Sequence, residues 1–163
     1  MSQTSTEEYP VLSRQQKREI WQAIVANFPL TVEGRSINPH MRYVNQAESA
    51  KLPEVVLNYP DEGHAEVEDI EGGVIQSSRL SISVYAEGYR DESGYIAAEV
   101  MAQEIARQLR EWFLSKRKNA EPIGQDLYVM KVSEVRNLTS LTVVNETKAR
   151  SQFDVMLSYM VVV

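Results

Sequence analysis

The chain contains no cysteine. Disulfides, thiolate metal sites and a cysteine nucleophile are excluded together, and the composition fits a reducing compartment. Glycine is also scarce, at seven residues. None of them builds a G-x-x-x-x-G-K phosphate loop, a G-x-G-x-x-G dinucleotide turn or a G-x-S-x-G nucleophile elbow. No apolar run approaches the ~20 residues of a membrane span. Positive charge is short as well: 17 Lys and Arg stand against 23 Asp and Glu, for a net charge of −6. The only basic cluster is Lys116-Arg117-Lys118. Tight sequence-independent binding of nucleic acid needs a basic face, and this chain as a whole repels phosphate. The opening MSQTSTEEYP is polar and acidic with no apolar core, so neither a signal peptide nor a transit peptide is expected. The chain reads as soluble and intracellular when made, which leaves the sequons at Asn137 and Asn145 as chance.

What is present is ordinary for a globular protein. Of 163 residues, 43% are hydrophobic and 25% charged, enough to bury roughly 70% of the unfolded-chain surface in one domain. The expected organisation is a flexible arm over 1–10 and a single α+β domain over 11–163.

Ser13-Arg14-Gln15-Gln16 matches a capping box, with serine and glutamine bonding reciprocally across the first helical turn. Ile20, Trp21, Ile24, Val25 and Phe28 then share one helical face, and Pro29 closes the segment. From Leu30 to Ala50 the pattern is irregular and polar, with a short strand expected at Met41 to Val44. The run Pro53 to Pro60 reads as a strand stopped by proline at both ends. Ala65 to Ile75 begins with alternation that slips at Asp69, where a bulge or bend is expected. Arg79 to Tyr85 alternates cleanly, with Leu80, Ile82 and Val84 against Ser81 and Ser83. Ser93 is the expected N-cap of a long helix. Its stripe is Ile96, Val100, Met101, Ile105, Leu109, Trp112 and Phe113. The basic cluster falls at that helix's end, where cations meet exposed carbonyls. Strands are expected over Leu127 to Val135, Leu138 to Val144 and Gln152 to Val163. In the last, Phe153, Val155, Leu157, Tyr159 and Val161 share a face. The order implies α+β: a mostly antiparallel sheet with two amphipathic helices packed on one side.

Chemistry concentrates in DEGHAEVEDIE, residues 61 to 71, which holds six carboxylates and His64. A zinc site needs further ligands at helical or hairpin spacing, and neither His40 nor His64 has a second histidine nearby. The stretch lacks the ligand order of a calcium loop. Weak divalent-ion binding by His64 with Asp61, Glu62 and Glu66 is the alternative to a solvated charged face. Acid–base catalysis needs carboxylates in contrasting environments within a cleft, and here they are crowded together. Glu71-Gly72-Gly73 is a turn signal at hairpin spacing. Tyr85 and Tyr89 flank a strand exit as core, rim or interface residues. The expected reading is not an enzyme, with no metal and no cofactor.

Five features together resemble the tail terminator proteins of long-tailed bacteriophages. They are the opening amphipathic helix, the strand LPEVVLNYP, and the acidic stretch leading into SRLSISVYAEG. The long helix in ESGYIAAEVMAQEIARQLREWF and the closing strand SQFDVMLSYMVVV complete the set. The resemblance covers roughly residues 11 to 163 and rests on element order and strand patterning. It implies a virion protein at the head-proximal end of the tail, made in the host cytoplasm, and a homo-oligomer of six subunits. That ring caps the tail tube, ends tube polymerisation and docks the head. The implied partners are the tail-tube protein and a head-completion protein, with DNA crossing the channel unbound and no membrane. On this reading Glu66, Glu68, Asp69 and Glu71 line the channel wall or its rim. Tyr159, Val161, Val162 and Val163 are the candidate subunit-interface residues, provided that their strand lies at a sheet edge. A head-completion or connector protein sealing the portal, and a cation-binding α+β domain, are the competing readings.

Overall fold

The computed structural model describes residues 12–46, 51–60, 66–70, 73–139 and 148–162. Within these, residues 66–70, 73–74 and 160–162 are described by their backbone pairing alone.

Helix α1, Arg14–Val25, starts on the expected capping box. The Gln16 amide donates to Ser13 Oγ at 3.0 Å, and the Ser13 amide to Gln16 Oε1 at 2.9 Å. Two of the four orphan amides of a helix start are satisfied this way. Ile20 and Ile24 are buried, Trp21 and Phe28 half-buried, and Val25 is left 40% exposed.

The segment read as irregular is more ordered than its sequence announces. Leu30–Val32 (β1) and Arg35–Ile37 (β2) form a hairpin, and His40–Tyr43 (β3) follows. The hairpin turns on Glu33 and Gly34, with φ of +47° and +80°. Two positive φ values suit the right-handed strand twist, and glycine adopts its one without cost. Strands of three residues are too short for alternation to reveal.

The central sheet is built on two 15-residue strands, Gly73–Glu87 (β6) and Lys148–Val162 (β11), antiparallel along their whole length. On one flank of β6 lie Glu54–Asn58 (β4) and, further along, Glu66–Ile70 (β5). β3 joins β4 in parallel and forms the outer edge. On the far flank of β11 lie Leu127–Val132 (β9) and Arg136–Asn137 (β10). The expected bulge at Asp69 is absent. The β5–β6 register runs unbroken from Glu66↔Ser77 to Ile70↔Gly73, so the change of pattern marks the end of a hairpin strand.

Helix α2 is Ala98–Lys118, four residues shorter at its start than expected. Ser93 is not its N-cap. It sits between Tyr89–Asp91 (β7) and Gly94–Ile96 (β8), where its amide donates to Asp91 Oδ1 at 2.8 Å. Ile96 belongs to β8 and Val100 is exposed, while Met101, Ile105, Leu109 and Phe113 are fully buried. Ala97, the true cap, offers no side-chain acceptor, and Glu99 supplies the first-turn carboxylate. The expected strand over Leu138 to Val144 is not found at residues 138 and 139, and its remainder lies outside the described residues. The fold class is as read: among the described residues, two helices and a mainly antiparallel sheet, α+β.

Candidate assembly surfaces

Strand alternation gives the sheet two unlike faces. Leu80, Ile82 and Val84 pair across with Val155, Phe153 and Ser151, and with Leu57 and Val55 of β4 they form the buried layer under the helices. Phe113 of α2 meets Phe153 edge to face at 6.1 Å.

The opposite face is a row of polar side chains bonded to one another. Ser81 Oγ donates to Asp154 Oδ1 at 2.6 Å, and Arg136 Nη2 donates to Asp154 Oδ2 at 3.1 Å. Arg150 Nη2 donates to Gln152 Oε1 at 3.0 Å while its guanidinium stacks 5.5 Å from the Tyr85 ring centre. Further across, Arg42 Nε donates to Glu54 Oε1 at 2.8 Å with both side chains nearly buried. Such ladders hold long side chains in fixed places.

The candidate acidic residues sit beside the end of β6 that lies farthest from β4. Glu66 and Glu68 take the register positions opposite Ser77 and Ile75, and Asp69 the alternate position opposite Val74. Glu71 lies outside the described residues, as do Asp61, Glu62 and His64. The structure therefore strings Glu66, Glu68 and Asp69 along one strand of a hairpin. Among the described residues no group of three or more histidine and carboxylate side chains is placed to hold a metal. His40 is exposed on β3.

The C-terminal strand is not an edge strand along most of its length. At Tyr159 it is paired on both sides, with Gln76 of β6 and Leu127 of β9. Tyr159 is only 3% exposed, and burial pushes its phenol up to about 12. Tyr159 is thus a core residue. Beyond it, Met160, Val161 and Val162 pair with Ile75, Val74 and Gly73. β9 has ended by then, so among the described residues no strand covers the other side of this last segment. Val163 is outside the described residues.

A further surface escaped the sequence reading. Arg35 of β2 reaches Asp91 of β7 with Nη2 to Oδ1 at 3.1 Å and Nε to Oδ2 at 3.2 Å. The fork ties the two small hairpins into one exposed corner, with Tyr95 displayed beside it and Arg90 over its ring. Hydrogen bonding to Arg35 holds the Asp91 carboxyl below its ordinary range. Partners 56 residues apart leave no local signal in a sequence.

No described helix is long and apolar enough to cross a membrane. Residues 20–163 match the family model of the phage neck terminator protein. The chain belongs to that family, which makes it a structural protein of the phage head–tail junction, as the resemblance in element order implied. No curated protein matches the chain.

Proposed function

We propose that the chain caps the phage tail tube as a six-subunit ring. The ring ends tube polymerisation and provides the surface on which the head docks. Membership of the neck terminator family over residues 20–163 is the observation that carries this reading. A cyclic assembly converts an open-ended polymer into a closed one, because it presents a different surface at its far end. Subunit joining is assigned to the side of Met160–Val162 that no described strand covers, together with Val163, an edge that a neighbouring strand extends by backbone hydrogen bonds. Tyr159, once a candidate for that contact, serves it indirectly by anchoring the strand in the core. Glu66, Glu68, Asp69 and Glu71 are assigned to the channel wall or rim. There, six copies of a −6 chain, about −36 in all, keep passing DNA from adhering.

The test is electron microscopy of particles made without this protein. Full heads beside detached tails of uneven length are expected. Emptied heads on normal tails would transfer the assignment to head completion. Replacing the four carboxylates by lysine is expected to slow DNA ejection and leave assembly intact, and unchanged infectivity removes the channel assignment.

A further inference from the structure

Between α1, β3 and the end of β4 lies a cavity of about 330 Å³. Its floor and walls include Arg14, Lys17, Tyr43, Val44, Asn58 and Tyr59. Arg14 and Lys17 stand one helical turn apart and face the same side. Lys17 Nζ sits 4.9 Å from the Tyr59 ring centre, and the Tyr43 and Tyr59 rings are 6.5 Å apart. Trp21 lies directly behind, 4.9 Å from Tyr43. Val44, 52% exposed, forms an apolar lip. No described lining residue is a carboxylate. In a chain of net charge −6, a cavity walled by two cations and two aromatic rings selects a ligand with carboxylates and an apolar or aromatic group.

We propose that this cavity is a binding site for an acidic, aromatic-bearing peptide segment, and that its occupant is the chain's own N-terminal arm through Glu7, Glu8 and Tyr9. Three observations select that occupant. The arm MSQTSTEEYPV has two carboxylates, one tyrosine and no lysine or arginine. Its root is fixed beside the cavity, because Leu12 is buried and Ser13 caps the helix that carries both cations. The reach is sufficient: Glu8 lies four residues before Leu12, up to about 14 Å of extended chain. Lys17 is only about 6 Å up the helix axis from the cap. A tether this short raises the effective concentration of the arm to roughly the millimolar range, so a weak contact holds it. The same carboxylate chemistry is carried by Asp61 and Glu62, just after Tyr59 and Pro60, and the experiment separates the two sources.

The indole N–H resonance of Trp21 in the full-length chain is the readout, with Trp112 as internal reference. Glu7→Lys/Glu8→Lys and Lys17→Glu are each expected to move the Trp21 signal toward one common position, and their combination in one chain to return it toward that of the parent. Rising salt is expected to move the parent signal the same way, through screening of the ion pairs. In parallel, a glutamate-specific protease is expected to cut the arm about fivefold faster in Lys17→Glu, the scale of one partly exposed ion pair. Lys17→Gln stands in if Lys17→Glu fails to fold. A Trp21 signal unmoved by Glu7→Lys/Glu8→Lys in a folded chain overturns the proposal. So does a signal that moves only with Asp61→Lys/Glu62→Lys, or one that depends on protein concentration. None of these outcomes bears on ring formation.

Discussion

The two faces of the central sheet come from the same strands and are held by different forces. Under the helices, Ile82, Phe153, Val155 and Leu157 are fully buried and need only area and shape. On the other face, Arg42, Glu54, Ser81, Arg150 and Asp154 are held by directed bonds whose loss leaves a polar group stranded. The lesson is a division of labour: the covered face is stabilised by buried area, and the bonded face by directed bonds that fix its polar side chains in place.

That contrast has measurable consequences. The largest belongs to the covered face. Phe113→Ala removes a ring that touches Trp112 at 4.8 Å and Phe153 at 6.1 Å between centres. It is expected to cost about 3–5 kcal/mol in denaturant unfolding. On the bonded face, Glu54→Ala strands the nearly buried Arg42 and is expected to cost about 3 kcal/mol. The double variant Arg42→Met/Glu54→Leu is expected to come within about 1 kcal/mol of the parent, since neither charge is then left alone. A double variant as damaged as the single one would break the comparison, because the pair would then be a net source of stability.

A smaller effect is read by pH. Burial favours the neutral phenol of Tyr159 and raises its value from 10.0 to about 12. The sign follows from a raised acid. Its contribution is fully present below pH 10, and is lost as pH rises through the interval up to about 12, where the unfolded chain ionises first. Alkaline unfolding of Tyr159→Phe is expected to lack that loss, and an unchanged alkaline limb would place the phenol in water. The smallest effect sharpens the contrast from its exception. Gln76 stands on the covered face opposite Tyr159, fully buried, with neither amide atom bonded among the described residues. Gln76→Leu is expected to raise stability by about 1 kcal/mol, read as a higher melting temperature.

The legible parts of this protein were those whose period outlasts local noise. The capping box at Ser13 and Gln16 formed as written, because both partners lie within one turn. The alternation of Ser81, Ile82, Ser83 and Val84 named the two faces, and that of Phe153, Val155 and Leu157 named the inward side of the last strand. Where signals were short they misled. Ser93 resembled a cap until the β7–β8 hairpin claimed it. The three-residue strands around Glu33 and Gly34 carried too few residues to show a period. Of the candidate residues, the acidic strand was visible by composition, but its register against β6 was not.

The sequence by itself determined the α+β class, the inward faces of the long strands, the exclusion of thiol chemistry and the family. Each of these depends on composition, on spacing within an element or on the order of elements, which a linear chain displays directly. Only the tertiary structure decided that Tyr159 is central and not at an edge, that Arg35 reaches Asp91 across 56 residues, and that Arg14 and Lys17 share a cavity with Tyr43 and Tyr59. Those facts depend on which strand lies beside which. That order is fixed by burial summed over the whole core, and no local stretch encodes it.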